Sequence, residues 1–433
     1  MTTNSRISAV LALCVWLFVP RAPAQTFTTL YGFTGHIHGD GADPGGNLAI
    51  DRHGVLYGAT ASGGAVSPGI HCSELGCGTV FSLAPPSAPG APWTEAVLWS
   101  FGGPGDGSDP AGGVVLGAGA TGRLTLYGTT YYGGLGSGFG NGTVFSLTAP
   151  ASPGAAWTES LIWTFGSSSG DGLNPAGGLL PGPNGIFYGT TANGGSAGGG
   201  TAFSLTPPSS PGGHWTETIL WNFGAPGDGS YPVSILLRGG VLYGITQGGG
   251  TSTTGIVFSL VPPASSGPWT ETVLYNFTAS ETFPTGLAIA GSGVLYGTTY
   301  GNQSKNGGTI FSLAPPASPG GTWTHSLLFS FPLKNNKGRD GDYPYGPLLI
   351  AKNGTLYGTA EFGGSANSGT IFMLKPPASP GGLWTYSLLH SFNGTSGGGL
   401  PFSGLVKGSG NLMYGTTGDG GPGSAGTVFS FIP

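Results

Sequence analysis

Apolar residues arrive in short bursts along this chain. Between residues 175 and 223 the bursts run Pro175 to Leu180, Gly185 to Thr191, Gly200 to Leu205 and Trp215 to Phe223. Each is rich in aromatic and β-branched types and bounded by Gly, Pro or Ser, which predicts four strands, A to D. In strand D, Ile219, Trp221 and Phe223 share one parity and are expected on one face, with Thr218, Leu220 and Asn222 on the other. No stretch after residue 24 shows a helical period.

The quartet recurs. Tyr57, Tyr127, Tyr188, Tyr243, Tyr296, Tyr357 and Tyr414 each precede Gly in strand B, at intervals of 53 to 70 residues. Strand C opens at Gly78, Gly142, Gly200, Gly255, Gly308, Gly369 and Gly426. Strand D ends at Phe33, Phe101, Phe165, Phe223, Phe277, Phe331 and Phe392, but its leading Trp appears only at Trp93, Trp157, Trp215, Trp269, Trp323 and Trp384. A lone strand-D copy, residues 26–33, precedes the first strand A, and the last strand C, residues 426–431, has no strand D after it. The two fragments complete each other only if the chain closes on itself. An open solenoid would leave an unpaired edge at each end. The prediction is an all-β, seven-bladed β-propeller of four-stranded antiparallel blades over residues 25–433, closed by strand 26–33 pairing with strand 426–431.

Composition fits that architecture. The 89 Gly and 36 Pro serve as turn residues between many strands, and 10 Trp, 16 Tyr and 23 Phe supply the core. Residues 1–24 read as a signal peptide, with Arg6, an apolar run from Ile7 to Pro20, and Ala22-Pro23-Ala24 before the cleavage point. The apolar run is too short for an ordinary span, so no membrane insertion is expected after signal removal, and the location is secreted or periplasmic/extracellular. The formal net charge is −5, and losing the leader removes basic residues only, which argues against nucleic acid as a partner. Cys72 and Cys77 then remain, most simply as a disulfide; two thiolates are half a zinc site.

Leu-Tyr-Gly-Thr-Thr, Gly-Thr-Val-Phe-Ser-Leu, Pro-Pro-Ala-Ser-Pro-Gly-Gly, Trp-Thr-Glu and Phe-x-Gly-x-x-Asp-Gly together resemble the bacterial exported GloVer (Gloeobacter/Verrucomicrobia-type) tandem repeats. The resemblance covers nearly all of the chain after the leader. It implies export and a repeat architecture, and carries no activity onto any residue. Family members often have a C-terminal sorting or anchoring tag, and this chain ends at its last repeat.

In a propeller the D–A and B–C loops share a face. They vary between units here, whereas the C–D loops are nearly invariant, and variable loops on a rigid frame carry binding residues. The residue before the Pro of strand A reads Asp43, Asp109, Asn174, Tyr231, Phe283, Tyr343 and Leu400 around the ring. Nearby B–C loops add Tyr131, Tyr132, Tyr300 and Phe362. Polar groups on one side and aromatic rings on the other suit a carbohydrate; the same residues could simply fill the axis and end strands. The expected function is an exported, non-catalytic binding module for a glycan or a surface protein. The alternatives are a polysaccharide-degrading hydrolase or lyase at the axial mouth, and a purely structural surface protein.

Other features are weaker. Asp40, Asp106, Asp171, Asp228 and Asp340 precede Gly and are expected to cap their own turns, with calcium ligation the alternative. His36, His38 and His71 could meet at the ring closure, and Lys305, Lys334, Lys337 and Arg339 form a basic patch. No nucleophile–base pairing, phosphate-cradling loop or repeated Ser-x-Asp-x-Gly-x-x-Trp box is present. Nothing calls for a cofactor or a resident metal.

Overall fold

Strand Thr26–Gly32 lies antiparallel to Thr427–Ile432, with Tyr31 opposite Val428, and Phe33 N–H donates to the Gly426 carbonyl at 2.9 Å. The ring is therefore closed by the two ends of the chain, as the unpaired fragments require. The computed structural model describes residues 25–433 apart from 36–38, 65–71, 73–75, 104, 111, 119–121, 135–139, 153, 211, 302–305, 319, 333–339 and 380. It contains seven four-stranded antiparallel sheets. Blade 1 is Ala42–Ile50, Leu56–Ser62, Thr79–Ala84 and Thr94–Ser100; blade 7 is Val406–Lys407, Met413–Thr417, Thr427–Ile432 and the N-terminal Thr26–Gly32. Among the described residues the one helical segment is a single 3₁₀ turn, Pro183–Gly185. No helix there is long and apolar enough to cross a membrane.

Seven hydrophobic clusters fill the seven gaps between neighbouring blades. In every gap the Phe that ends one blade's strand D meets the strand-C Phe of the next edge-on or tilted, with centroids 4.9 to 5.4 Å apart. These rings are fully buried. Each strand-C ring leans on the Gly of Tyr-Gly: a Cβ on Gly189 would lie 2.3 Å from the Phe203 ring. That close approach is why the repeat keeps glycine after its tyrosine.

A second device joins the blades. Gly200, at φ +95°, opens strand C of blade 3, and a Cβ there would lie 2.8 Å from Cδ of Pro232 in blade 4. The same glycine–proline contact recurs in all seven gaps, ending with Gly426 against Pro44. The prolines of strand A thus seat on the previous blade as well as ending a turn.

The expected facing of strand D is corrected. A register shift interrupts strand D in each blade, and in blade 3 it falls at Leu220, between the pairs Phe203–Ile219 and Ala202–Trp221. The bulge puts Leu220, Trp221 and Phe223 together against blade 4 and leaves Ile219 outside that cluster. An extra residue resets the two-residue alternation on which the expectation rested. In blade 3 the predicted strand A over Pro175 to Leu180 shrinks to Leu180–Pro181. Glycines leave the axial backbones nearly touching there: a Cβ on Gly178 would sit 2.4 Å from the Gly112 carbonyl.

Candidate functional site

The innermost strands and the D–A and B–C loops enclose an axial cavity of about 690 Å³. Around its mouth the seven residues before the strand-A prolines share one unusual conformation. Asp43, Asp109, Asn174, Tyr231, Phe283, Tyr343 and Leu400 all have φ between +53° and +62°. Bulky side chains rarely adopt this left-handed region, and holding one there costs about 1–3 kcal/mol. The neighbouring blade over-determines it at six of the seven. Asp43 N–H donates to the Ala425 carbonyl at 3.0 Å, Asp109 to Cys77 at 3.0 Å, Asn174 to Asn141 at 2.7 Å, Tyr231 to Gly199 at 2.8 Å and Leu400 to Ser368 at 2.8 Å. Tyr343 N–H donates likewise to Gly307. The Cys72–Cys77 disulfide, with Cα atoms 5.0 Å apart, anchors the acceptor of the Asp109 staple.

Two different walls result. On the side of blades 1 to 3 the groups are polar. Asp43 accepts from the Ser62 hydroxyl at 3.0 Å, and its carboxyl is pushed up by burial and by the charge of Asp419. Asp109 is raised to about 6, first by burial and then by Asp43. The Asn174 amide donates to the Tyr131 carbonyl at 3.0 Å, and its oxygen accepts from Asn193 at 3.3 Å. Tyr131 and Tyr231, one hundred positions apart in the chain, join hydroxyls at 3.1 Å.

On the side of blades 5 and 6 the wall is aromatic. Tyr300 stacks on Tyr343, centroids 4.5 Å apart and planes 16° from parallel. Phe362 meets Tyr343 edge-on at 5.8 Å, Tyr345 meets Tyr300 at 6.5 Å, and Phe402 meets Tyr345 at 6.0 Å. A buried acid, Glu361, lies behind them, its carboxyl raised by burial and partly held down by a hydrogen bond from Tyr300. Burial, followed by the charges of Glu361 and Tyr231, pushes the Tyr345 phenol up.

The structure thus gathers most of the expected residues. Asp43, Tyr131 and Tyr231 line the cavity; Asp109, Asn174, Tyr300 and Tyr343 are tied to its rim by the contacts above. Tyr132 packs edge-on against Tyr131 at 4.8 Å and belongs to the outer loop pair with Ser108. Phe283 is 54% exposed and does not line the cavity. Sequence reasoning passed over Tyr345, Phe402, Gln247 and Glu361. The signal was available: Tyr345 and Phe402 lie two residues beyond Tyr343 and Leu400, and Gln247 and Glu361 occupy the repeat position of Tyr131 and Tyr300.

Three of the five Asp-Gly carboxylates cap their own turns. Asp106 accepts from the Gly102 and Gly107 N–H groups, Asp171 from Ser167 and Gly172, and Asp228 from Gly229. Among the described residues no group of three or more His, Cys, Asp or Glu is placed to hold a metal ion. His36, His38, His71, Lys305, Lys334, Lys337 and Arg339 lie outside the described residues, as does the expected signal peptide over residues 1–24.

The model of the Gloeobacter/Verrucomicrobia repeat matches residues 125–332 and 284–433. The chain belongs to this repeat family. No curated protein matches it. Among solved structures, an ulvan lyase described as founding a new family of polysaccharide lyases aligns with 93% of this chain and 96% of its own, at 11% identity and a TM-score of 0.56. The NanB sialidase of Streptococcus pneumoniae aligns with 78% of this chain and 68% of its own, at 10% identity and a TM-score of 0.45. At such identities the likeness to the lyase is one of fold.

Proposed function

We propose that this is an exported glycan-binding propeller that takes an oligosaccharide at the axial mouth. The observation that carries the reading is the Tyr300–Tyr343 stack across the ring from Asp43 and Asp109. Flat rings suit the C–H face of a sugar, and carboxylates accept from its hydroxyls. The described residues lining the cavity include no lysine or arginine, while acids stand at its rim. A neutral glycan fits that balance better than a polyuronate or a sialylated chain. Export is supported by the Cys72–Cys77 disulfide, which persists in oxidising compartments.

The test is calorimetric titration with neutral β-glucan and xylan oligosaccharides and with a polyuronate. Saturable binding of a neutral chain, weakened at least tenfold by Tyr300→Ala with Tyr343→Ala, supports the proposal. Preference for the polyuronate, or affinity untouched by the double substitution, overturns it.

A hydrolytic second reading rests on one observation: Asp109, raised to about 6 beside Asp43, forms a carboxyl pair with unlike environments. Such pairs serve as acid and base in glycoside cleavage. Release of new reducing ends, lost in Asp109→Asn, would favour it over simple binding.

A further inference from the structure

Six of the seven gaps between blades share a third contact. The Trp that precedes strand D packs beside the Tyr-Gly tyrosine of the preceding blade, edge-on in five of them. Trp93 meets Tyr414 at 6.1 Å, Trp215 meets Tyr127 at 6.1 Å, Trp269 meets Tyr188 at 6.3 Å, Trp323 meets Tyr243 at 6.0 Å and Trp384 meets Tyr296 at 5.9 Å. Trp157 packs against the cluster that holds Tyr57. Blade 7 takes its strand D from the other end of the chain, and there the residue before Thr26 is Gln25. The ladder register is the same: Thr26 faces Ile432 as Thr94 faces Ala84 and Thr216 faces Thr206. Tyr357 of blade 6 is therefore the one repeat tyrosine without its indole.

A cavity of about 520 Å³ lies at that place, within the range of small-molecule sites. Leu349, Tyr357, Met373, Leu389 and Met413 give it an apolar floor, and Gln25 stands at its edge. Lys352 and Lys407, from the A–B hairpins of blades 6 and 7, line its rim. Neither lysine is in an ion pair among the described residues. Two free cations beside an apolar slot are uncommon on a chain with 7% charged residues and a net charge of −5.

We propose that this seam cavity is a binding site for a planar aromatic acid, whose ring takes the indole's place on Tyr357 and whose anion meets Lys352 and Lys407. The six filled gaps show that the space beside the repeat tyrosine accepts an indole. The thioethers of Met373 and Met413 adapt to rings of differing outline. The site is remote from the axial mouth in its residues, so its occupancy does not depend on the glycan reading.

Saturation-transfer NMR and calorimetry with indole-3-propionate, with indole as the uncharged control, test it on the purified chain. The expected result is saturable binding of the acid, at least tenfold tighter than indole. Lys352→Ala with Lys407→Ala should erase that preference. Gln25→Trp should fill the slot, weaken the acid at least tenfold and raise the melting temperature. Leu161→Ala, at an exposed site in blade 2, should change none of these. No binding of the acid by the unsubstituted chain, equal affinity for acid and indole, or undiminished binding by a folded Gln25→Trp variant would each overturn the proposal.

Discussion

Thr370 faces Ala360 across the ladder of blade 6, and its buried hydroxyl has no hydrogen-bond partner. In blades 1, 2, 3, 5 and 7 a second threonine stands opposite, as in Thr60 with Thr79, Thr191 with Thr201 and Thr417 with Thr427, at 2.8 to 2.9 Å. Ala360→Thr should therefore restore the missing bond and raise stability by about 1 kcal/mol. Urea unfolding of the two proteins measures it; a destabilised variant would show that blade 6 cannot accommodate the hydroxyl.

Stability should rise as the solution becomes mildly acidic. Glu95, Glu159, Glu217 and Glu271 repeat at one strand-D position, and each has a buried oxygen without a partner. Burial, and then the charge of Asp40, Asp106, Asp171 or Asp228, raises their carboxyls from the ordinary 4.5 to about 7. A carboxyl with a raised folded pKa favours the folded state when protonated. Its contribution is fully present below 4.5 and is lost as pH climbs through about 7. His390, pulled down by burial, acts in the opposite sense, but it is one group against four. The urea midpoint should be higher at pH 5 than at pH 8, and Glu217→Gln should reduce the difference without abolishing it.

The ring closure depends on Phe33. It is fully buried and meets Phe81 edge-on at 5.1 Å across the gap between blades 7 and 1. Phe33→Ala should cost about 3–5 kcal/mol. Phe283→Ala, at a residue 54% exposed, should stay within about 0.5 kcal/mol. Thermal unfolding of both variants separates the two roles.

Glycan affinity should depend on pH through Asp109. Above about 6 its carboxylate accepts hydrogen bonds; below that it is protonated and one oxygen donates. Affinity for a neutral oligosaccharide should change between pH 5 and pH 7.5 in the unsubstituted protein and stay level in Asp109→Asn. A pH dependence retained by that variant would place the titrating group elsewhere, with Asp43 the next to replace.

Much of the architecture was legible because the repeat is imperfect in an informative way. Seven copies of strand D and six of its leading Trp force the ends together, and the structure joins Thr26–Gly32 to Thr427–Ile432. The facing of strand D was not legible, because a bulge such as that at Leu220 leaves no mark in a pattern of alternating residues. The left-handed backbone at Tyr231 and Leu400 was equally hidden. Their side chains disfavour that region, and a carbonyl of the neighbouring blade helps to hold them in it.

By itself the sequence determined the number of blades, their strand order and the circular closure, since these follow from periodic local patterns and from counting copies. Only the tertiary structure decided which loop residues share a surface. Tyr131 and Tyr231 are separated by one hundred positions and touch because the axis draws distant strands together. It also decided that the missing indole at Gln25 leaves a cavity beside Tyr357, since a gap is a property of what packs around it.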